Sequence, residues 1–311
     1  LNSPEDRTEW HGHPAHASSK WHGHLARAGK TLVFGHRGML GRVVASRPGV
    51  IGLDLPECDI TDPDAVKEAV QRERPAVIIN CAAYTRVDDA EADEALATRV
   101  NGDAVGYLAE AARHVDAYFL TLSTDYVFSG QGQTPWREAD APEPQSAYGR
   151  SKLAGEKRVQ EVGGRWAIVR TQWLYGEGGP NFIDTIARLA AEKDTLSVVN
   201  DQIGAPTWAN DLAGVLWALA ERRAEGVFHA ANSGYASWFD VACRVFEQLE
   251  LDCKVTPCSS EEFPRPAKRP RNSRLNTAKL AGLLGAPLRP WQEALDEYLA
   301  GRKAAAHPER R

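Results

Sequence analysis

From Lys30 onward, short apolar runs alternate with longer stretches whose apolar residues recur at helical spacing. "TLVF" (31–34), "VIGLD" (50–54), "PAVIIN" (75–80), "AYFLTLS" (117–123) and "WAIVR" (166–170) read as strands. Between them lie a helical stretch ending near Ser46, a second over 62–74 opened by Asp62-Pro63, and a third over 88–114 rich in Ala, Glu, Asp and Arg. Strands and helices in strict alternation predict βαβ units, a parallel sheet, and helices on both of its faces. After about residue 171 the rhythm loosens. Helices are expected at 181–193, 211–222, 237–249 and 289–300, a strand at 226–230, and a loop over the proline-rich 263–276. No repeat and no flexible linker separates the halves, so they are expected to pack together.

Residues 1–29 break the pattern. They lack apolar periodicity and carry five of the nine histidines, His11, His13, His16, His22 and His24. This reads as a disordered, His-rich leader. No spaced carboxylate or cysteine completes a metal site there, so no metal ligands are assigned. The 311 residues are 43% hydrophobic and 25% charged, with a net charge of −5. That balance gives no footprint for nucleic acid. No apolar run is long enough to span a membrane. Five cysteines without a CxxC pair argue against a disulfide framework and fit a reducing cytoplasm.

Gly35, Gly38 and Gly41 follow the first strand directly and open a helix. Glycines there permit a tight turn and let the backbone approach a pyrophosphate, while the helix N-terminus offers free N–H groups. Asp54, nineteen residues after Gly35, ends the second strand, where a carboxylate can accept from an adenosine ribose. A dinucleotide cofactor is therefore expected. Asp54 favours NADH, because it would repel a 2′-phosphate. His36 and Arg37 inside the loop could neutralise that phosphate and favour NADPH, so the choice stays open. The fold expected is a Rossmann-like doubly wound α/β sheet. The cofactor-binding domain is expected over 30–170. A smaller, mainly substrate-binding part follows over 171–303, with one or more strands returning to the sheet, and then a tail over 304–311.

"SAYGRSKLAGE" (146–156) places Tyr148 and Lys152 one helical turn apart on the same side. Upstream, "LSTDYVFSG" puts Thr124 just past the fourth strand. Ligands on doubly wound sheets bind outside the carboxyl ends of the strands, where these groups can meet. Hydride transfer to a ketone builds negative charge on oxygen, which must be hydrogen-bonded and protonated. Tyr148 is expected to protonate it and Thr124 to hydrogen-bond it. Lys152 is expected to lower the phenol's pKa from its free value of about 10 and to grip the nicotinamide ribose.

These motifs resemble the extended short-chain dehydrogenase/reductases, and within them the dTDP-4-dehydrorhamnose reductases. The resemblance runs from about Lys30 to Leu299 through "GHRGMLG", "NCAAYTRVDDAE", "STDYVFSG", "YGRSKLAGE", "RTQWLYG", "NDQIGAPT" and "RPRNSRLNT". It implies reduction of a dTDP-linked 4-keto-6-deoxysugar by NADPH or NADH. Gly38, Met39 and Leu40 match the pyrophosphate loop, Asp59 and Ile60 the adenine side, and Ala83, Tyr84 and Thr85 the segment under the cofactor. Thr124, Asp125 and Trp173 match sugar contacts. Gln202 and Thr207 are placed at the nucleotide, with Arg269 and Arg274 on its diphosphate as phosphate-binding forks. The resemblance allows for a homodimer and for a bridging magnesium ion. "RVV" after Gly41, where some members carry a glutamate, argues against the ion.

A 4,6-dehydratase would want an Asp-Glu pair after Thr124, but Asp125 is followed by Tyr126. A C4 epimerase is disfavoured by the motifs of the second half. Two alternatives stay open: a reductase of another dTDP-4-keto-deoxysugar, and a non-catalytic NADP-binding subunit resembling the methionine adenosyltransferase β subunit.

Overall fold

Each apolar run of the first half becomes a strand, and a helix follows each of the first four. The computed structural model describes residues 29–306, so all but the last residue of the His-rich leader and the end of the tail lie outside the described residues. The first half runs β1 (Thr31–Phe34), α1 (Met39–Ala45), β2 (Val50–Leu53), α2 (Pro63–Glu73), β3 (Val77–Asn80), α3 (Asp89–Ala92), α4 (Glu94–Thr98), α5 (Ala104–His114), β4 (Tyr118–Thr124), α6 (Ala147–Val162) and β5 (Trp166–Thr171). The second half continues with β6 (Leu174–Tyr175), α7 (Phe182–Ala190), β7 (Thr195–Val199), β8 (Ile203–Gly204), β9 (Thr207–Trp208) and α8 (Ala209–Arg222). It ends with β10 (Gly226–His229), β11 (Ala236–Ser237), α9 (Trp238–Leu249), β12 (Lys254–Cys258), α10 (Ala278–Leu284) and α11 (Trp291–Ala306).

Six strands form one sheet in the order β10-β5-β4-β3-β1-β2, every pair parallel. Successive side chains on a strand point to opposite faces. Val33, Ile79, Leu120 and Val169 therefore pack with Leu40 of α1 and Leu212 and Leu216 of α8. Leu32, Phe34, Ile78, Phe119 and Ile168 pack with Val66 of α2, Leu108 of α5 and Val159 of α6. This is a doubly wound Rossmann-like sheet. A third core joins α7, α9 and α11 through Ile183, Val245, Phe246, Leu295 and Tyr298. Both α8 and β10 lie past residue 171 yet complete the first sheet and its cover.

Two local features depart from the pattern. The helical stretch 88–114 is cut at Asp93, whose carboxylate accepts from Leu96 N–H and caps a new helix. A π-helical turn, Arg99–Asp103, then precedes α5 and carries the buried Asn101. In the second half, short two-stranded pairs (β6 with β9, β8 with β11, β7 with β12) join segments that helical spacing does not reveal.

Candidate active site

Strand order reverses between β1 and β3, so the connections leaving their carboxyl ends run to opposite faces and leave a crevice. A cleft of about 740 Å³ opens there and runs past β4 to the segment after β5. Gly35 takes a left-handed φ of 75°, and a Cβ on it would overlap the Ala82 backbone. A Cβ on Gly41 would overlap the Gly35 carbonyl oxygen, so only glycine lets α1 come this close to the turn. Gly38 caps α1 without a side-chain hydrogen bond, which leaves the first N–H groups of the helix unspent. Gly35, Gly38, Met39, Leu40, Asp54, Asp59, Ile60, Ala83 and Thr85 all line the cleft. A backbone cradle at one end and an apolar-walled channel from it fit an extended dinucleotide.

Three predicted cofactor residues stand back from the cleft wall. Gly41 packs behind the turn. Tyr84 is fixed through its backbone, its N–H donating to Asn101 Oδ1 at 2.9 Å and its carbonyl accepting from Asn101 Nδ2 at 3.0 Å. Arg37 lies on the exposed rim, its guanidinium donating to the Leu55 carbonyl and the Glu57 carboxylate. Asp54 accepts from Arg37 N–H at 3.1 Å and from Leu55 N–H at 2.9 Å, so its carboxylate ties the glycine loop to the end of β2.

At the far end the cleft is lined by Thr124, Asp125, Tyr148, Lys152 and Trp173. Ser146 caps α6 by accepting from Gly149 N–H at 3.1 Å, and α6 presents Tyr148 and Lys152 to the cleft. The Thr124 hydroxyl donates to Asp125 Oδ1 at 3.0 Å and lies within hydrogen-bonding reach of the Tyr148 phenol. Asp125 Oδ2 accepts from Ser273 Oγ at 2.6 Å. Burial pushes the Asp125 carboxyl up to about 6, against the pull of these hydrogen bonds.

The phenol departs from expectation. Its pKa is raised, first by burial and then by the Asp125 charge, and only the Thr124 hydroxyl pulls it down. The desolvation cost of a phenolate sets the direction, and Lys152 is not among the groups that pull the value down. Lys152 is itself pushed down to about 8 by burial, with Glu156 opposing. Glu156 is held in a buried pair with Arg170, at 2.6 and 2.9 Å. The result suits a proton donor: Tyr148 stays protonated across the neutral range.

Beyond β5, Trp173 adopts a left-handed φ of 47°, a conformation that costs a non-glycine residue about 1–2 kcal/mol. Its ring stacks on Trp238 with centroids 3.7 Å apart, and its carbonyl accepts from Thr207 N–H at 3.1 Å. The stacking and the carbonyl contact fix Trp173 through its ring and its backbone.

Gln202 and Arg269 line a second cleft of about 590 Å³, together with Arg265, Lys268, Arg271 and Phe263. Arg269 also borders a small recess shared with Tyr126, which links it to the first cleft. Its Nη2 donates to Asp88 at 2.9 Å, while Nη1 is buried without a partner. The remaining two predicted contacts are not brought to either cleft. Thr207 is fully buried and its hydroxyl donates to the Ala205 carbonyl. Arg274 folds back on Asn272, with Nε donating to Oδ1 at 2.7 Å. Among the described residues no group of three or more His, Cys, Asp or Glu gathers as a metal would require. No described helix is long and apolar enough to cross a membrane, and all five cysteines are unpaired.

Residues 29–303 match the model of the RmlD substrate-binding domain family. The chain belongs to that family. Within it, the chain is 47% identical to the dTDP-4-dehydrorhamnose reductase of Streptomyces griseus, over 89% of this chain and 96% of that one. It is 42% identical to a probable dTDP-4,6-dihydroxy-2-methyloxan-3-one 4-ketoreductase of Streptomyces antibioticus, over 89% and 97%. The crystal structure of dTDP-4-dehydrorhamnose reductase from Bacillus anthracis in complex with NADP superposes with a TM-score of 0.85 at 37% identity, covering 88% and 99%.

Several site residues of this family member escape sequence reasoning. Asn101 binds the Tyr84 backbone and donates to Ser151 Oγ at 3.0 Å, and Ser151 donates to the Tyr148 carbonyl. An asparagine inside a helical run was its one signal, since that residue disfavours helix interiors. Trp238, Ser273 and Gln172 come from tertiary contact alone.

Proposed function

We propose that this protein reduces dTDP-4-dehydrorhamnose to dTDP-L-rhamnose with NADPH or NADH, a step toward cell-surface polysaccharide precursors. The reading rests on the convergence of Thr124, Tyr148 and Lys152 on one cleft that begins at an uncapped glycine turn. A reduced nicotinamide, once bound, supplies a hydride to C4 of the sugar. Tyr148 gives its phenolic proton to the oxygen that gains charge. Thr124 turns its hydroxyl hydrogen from Asp125 to the same oxygen. Lys152, with no hydrogen-bonded side-chain partner among the described residues, holds the ribose next to the nicotinamide. Gly35, Gly38, Met39, Leu40, Asp54, Asp59 and Ile60, with Arg37 on the rim, hold the rest of the dinucleotide. Ala83, Tyr84 and Thr85 lie beneath it.

In this reading Trp173 is the flat platform for the deoxysugar. The buried free N–H of Arg269 takes a diphosphate oxygen, with Gln202 beside it. Thr207 and Arg274 support the walls from behind. Residues 30–170 then serve chiefly the cofactor and 171–303 chiefly the sugar nucleotide. We place the reaction in the cytoplasm, in keeping with the unpaired cysteines, and we carry the homodimer as part of the proposal.

The test is incubation with NADPH and NADH against dTDP- and GDP-linked 4-ketosugars, following nicotinamide absorbance and identifying the sugar formed. Tyr148→Phe should lower kcat by about 10²–10⁴-fold with cofactor binding intact. Near-normal turnover in that variant would refute its role. Tight cofactor binding with no turnover of any ketosugar would favour a binding module instead.

A further inference from the structure

Gln172 sits between Thr171 and Trp173 and is 2% exposed. Neither its Nε2 nor its Oε1 has a hydrogen-bond partner, although the residue lines the 740 Å³ cleft. Next to it the Thr171 hydroxyl, in register with Thr124 across β4 and β5, is likewise buried without a partner and lines the cleft. A primary amide buried without partners carries a large desolvation cost, so a fold does not keep one without return. The amide oxygen stands against Gly204, beside the Trp173 ring. What the pair lacks is a ligand that both donates and accepts, and a ring hydroxyl does both.

We propose that Gln172, with Thr171 beside it, selects 4-ketosugars that keep the hydroxyl on the ring carbon next to the anomeric one. The proposal rests on the reading of this cleft as a ketosugar reductase site and narrows its substrate. It matters because the Streptomyces antibioticus relative is named for a 4,6-dihydroxy-2-methyloxan-3-one, a name that puts no hydroxyl on that carbon. A site built to bond a hydroxyl penalises the analogue without it, because its own polar groups stay unpaired.

The experiment compares kcat/KM for dTDP-4-keto-6-deoxyhexose and for its 2-deoxy counterpart in the wild type, Gln172→Leu and Gln172→Met. The wild type should favour the hydroxylated sugar by about 10- to 150-fold. The variants should bring that ratio within about threefold, mainly by losing the hydroxylated sugar. The Kd for NADPH should not move, and thermal stability should hold or rise because an unpaired amide is removed. An unchanged ratio would overturn the proposal. So would a weakened NADPH Kd, which would put the amide on the nicotinamide carboxamide, or a fall in stability, which would show that the protein already satisfies it. Failure of the wild type to turn over either sugar would instead overturn the reductase reading itself.

Discussion

Gly204, in the "GAPT" turn, packs against Trp173 and Gln172, the side chains proposed to meet the sugar. A Cβ placed there would lie 2.6 Å from Cε2 of Trp173, 2.8 Å from its Cζ2 and 2.7 Å from Oε1 of Gln172. Ordinary contact needs about 3.4 Å or more, so Gly204→Ala demands a shift of nearly 1 Å. Trp173 cannot give way freely, because Trp238 is stacked on it at 3.7 Å and its carbonyl is held by Thr207. Gly204 has ordinary strand backbone, so alanine gains about 0.4–1 kcal/mol by restricting the unfolded chain. Overpacking costs about 1–3 kcal/mol, which leaves a modest net loss of stability. The larger effect falls on catalysis: a misplacement of about 1 Å in a positioning surface is worth about 10²-fold. We expect kcat/KM for the ketosugar to fall about 100-fold while the Kd for NADPH, set at the glycine turn, stays within about twofold. Stopped-flow turnover with fluorescence titration of the cofactor measures both. If Gly204→Ala keeps kcat/KM within about threefold, Trp173 is not the platform for the sugar.

Three further outcomes follow from the charges. Lys152, depressed to about 8, loses its proton as pH rises through that value, so kcat/KM should decline above about pH 8; a flat profile to pH 10 would count against its role. Asp125 has a folded pKa above the ordinary carboxylate value, so the folded state holds the proton more tightly than the unfolded chain. Its contribution to stability is fullest below about pH 4 and is lost as pH rises through about 6, a change of about 3 kcal/mol for two pH units. Urea unfolding should show that decline in the wild type and a flatter curve in Asp125→Asn; equal slopes would sink the assignment. Arg37 is spent only on an exposed pair and a carbonyl, partners that contribute little, so a 2′-phosphate can claim it. Arg37→Ala should raise KM for NADPH about tenfold and leave KM for NADH within about threefold, and equal effects on both would return the choice of cofactor to Asp54.

What could be read in the chain was local. The glycine spacing at 35, 38 and 41 encodes a turn and a close helix approach within seven residues, so no distant partner is needed to recognise it. Tyr148 and Lys152 share a helix face by arithmetic alone. The phenol's pKa was not legible, because its direction is set by burial and by Asp125, whose proximity is tertiary. Thr207 and Arg274 line neither cleft for a related reason: a motif names residues, and only packing decides which of them face the cleft. The small strands of the second half pair across long separations, β7 with β12 about sixty residues apart, and no window of local periodicity reports that. Gln172 is the extreme case, since its meaning lies in the partners it lacks.

The tuning of Tyr148 and Lys152 depends less on their being neighbours than on where α6 rests. A Cβ on Gly149 would overlap the carbonyl oxygen of Tyr126, directly after the Thr124–Asp125 pair. A Cβ on Gly155 would overlap the carbonyl oxygen of Asn101, the residue that fixes Tyr84. The helix therefore lies backbone to backbone on two segments at once, one following Thr124 and Asp125 and one carrying the Asn101 that fixes Tyr84. Glu156 extends the same helix into the buried pair with Arg170 on β5, the strand that leads into Gln172 and Trp173. Backbone contacts of this kind cannot drift with side-chain rotamers. They hold the phenol and Thr124 in fixed relation, and the short motif sets that geometry through its glycines as much as through its tyrosine and lysine.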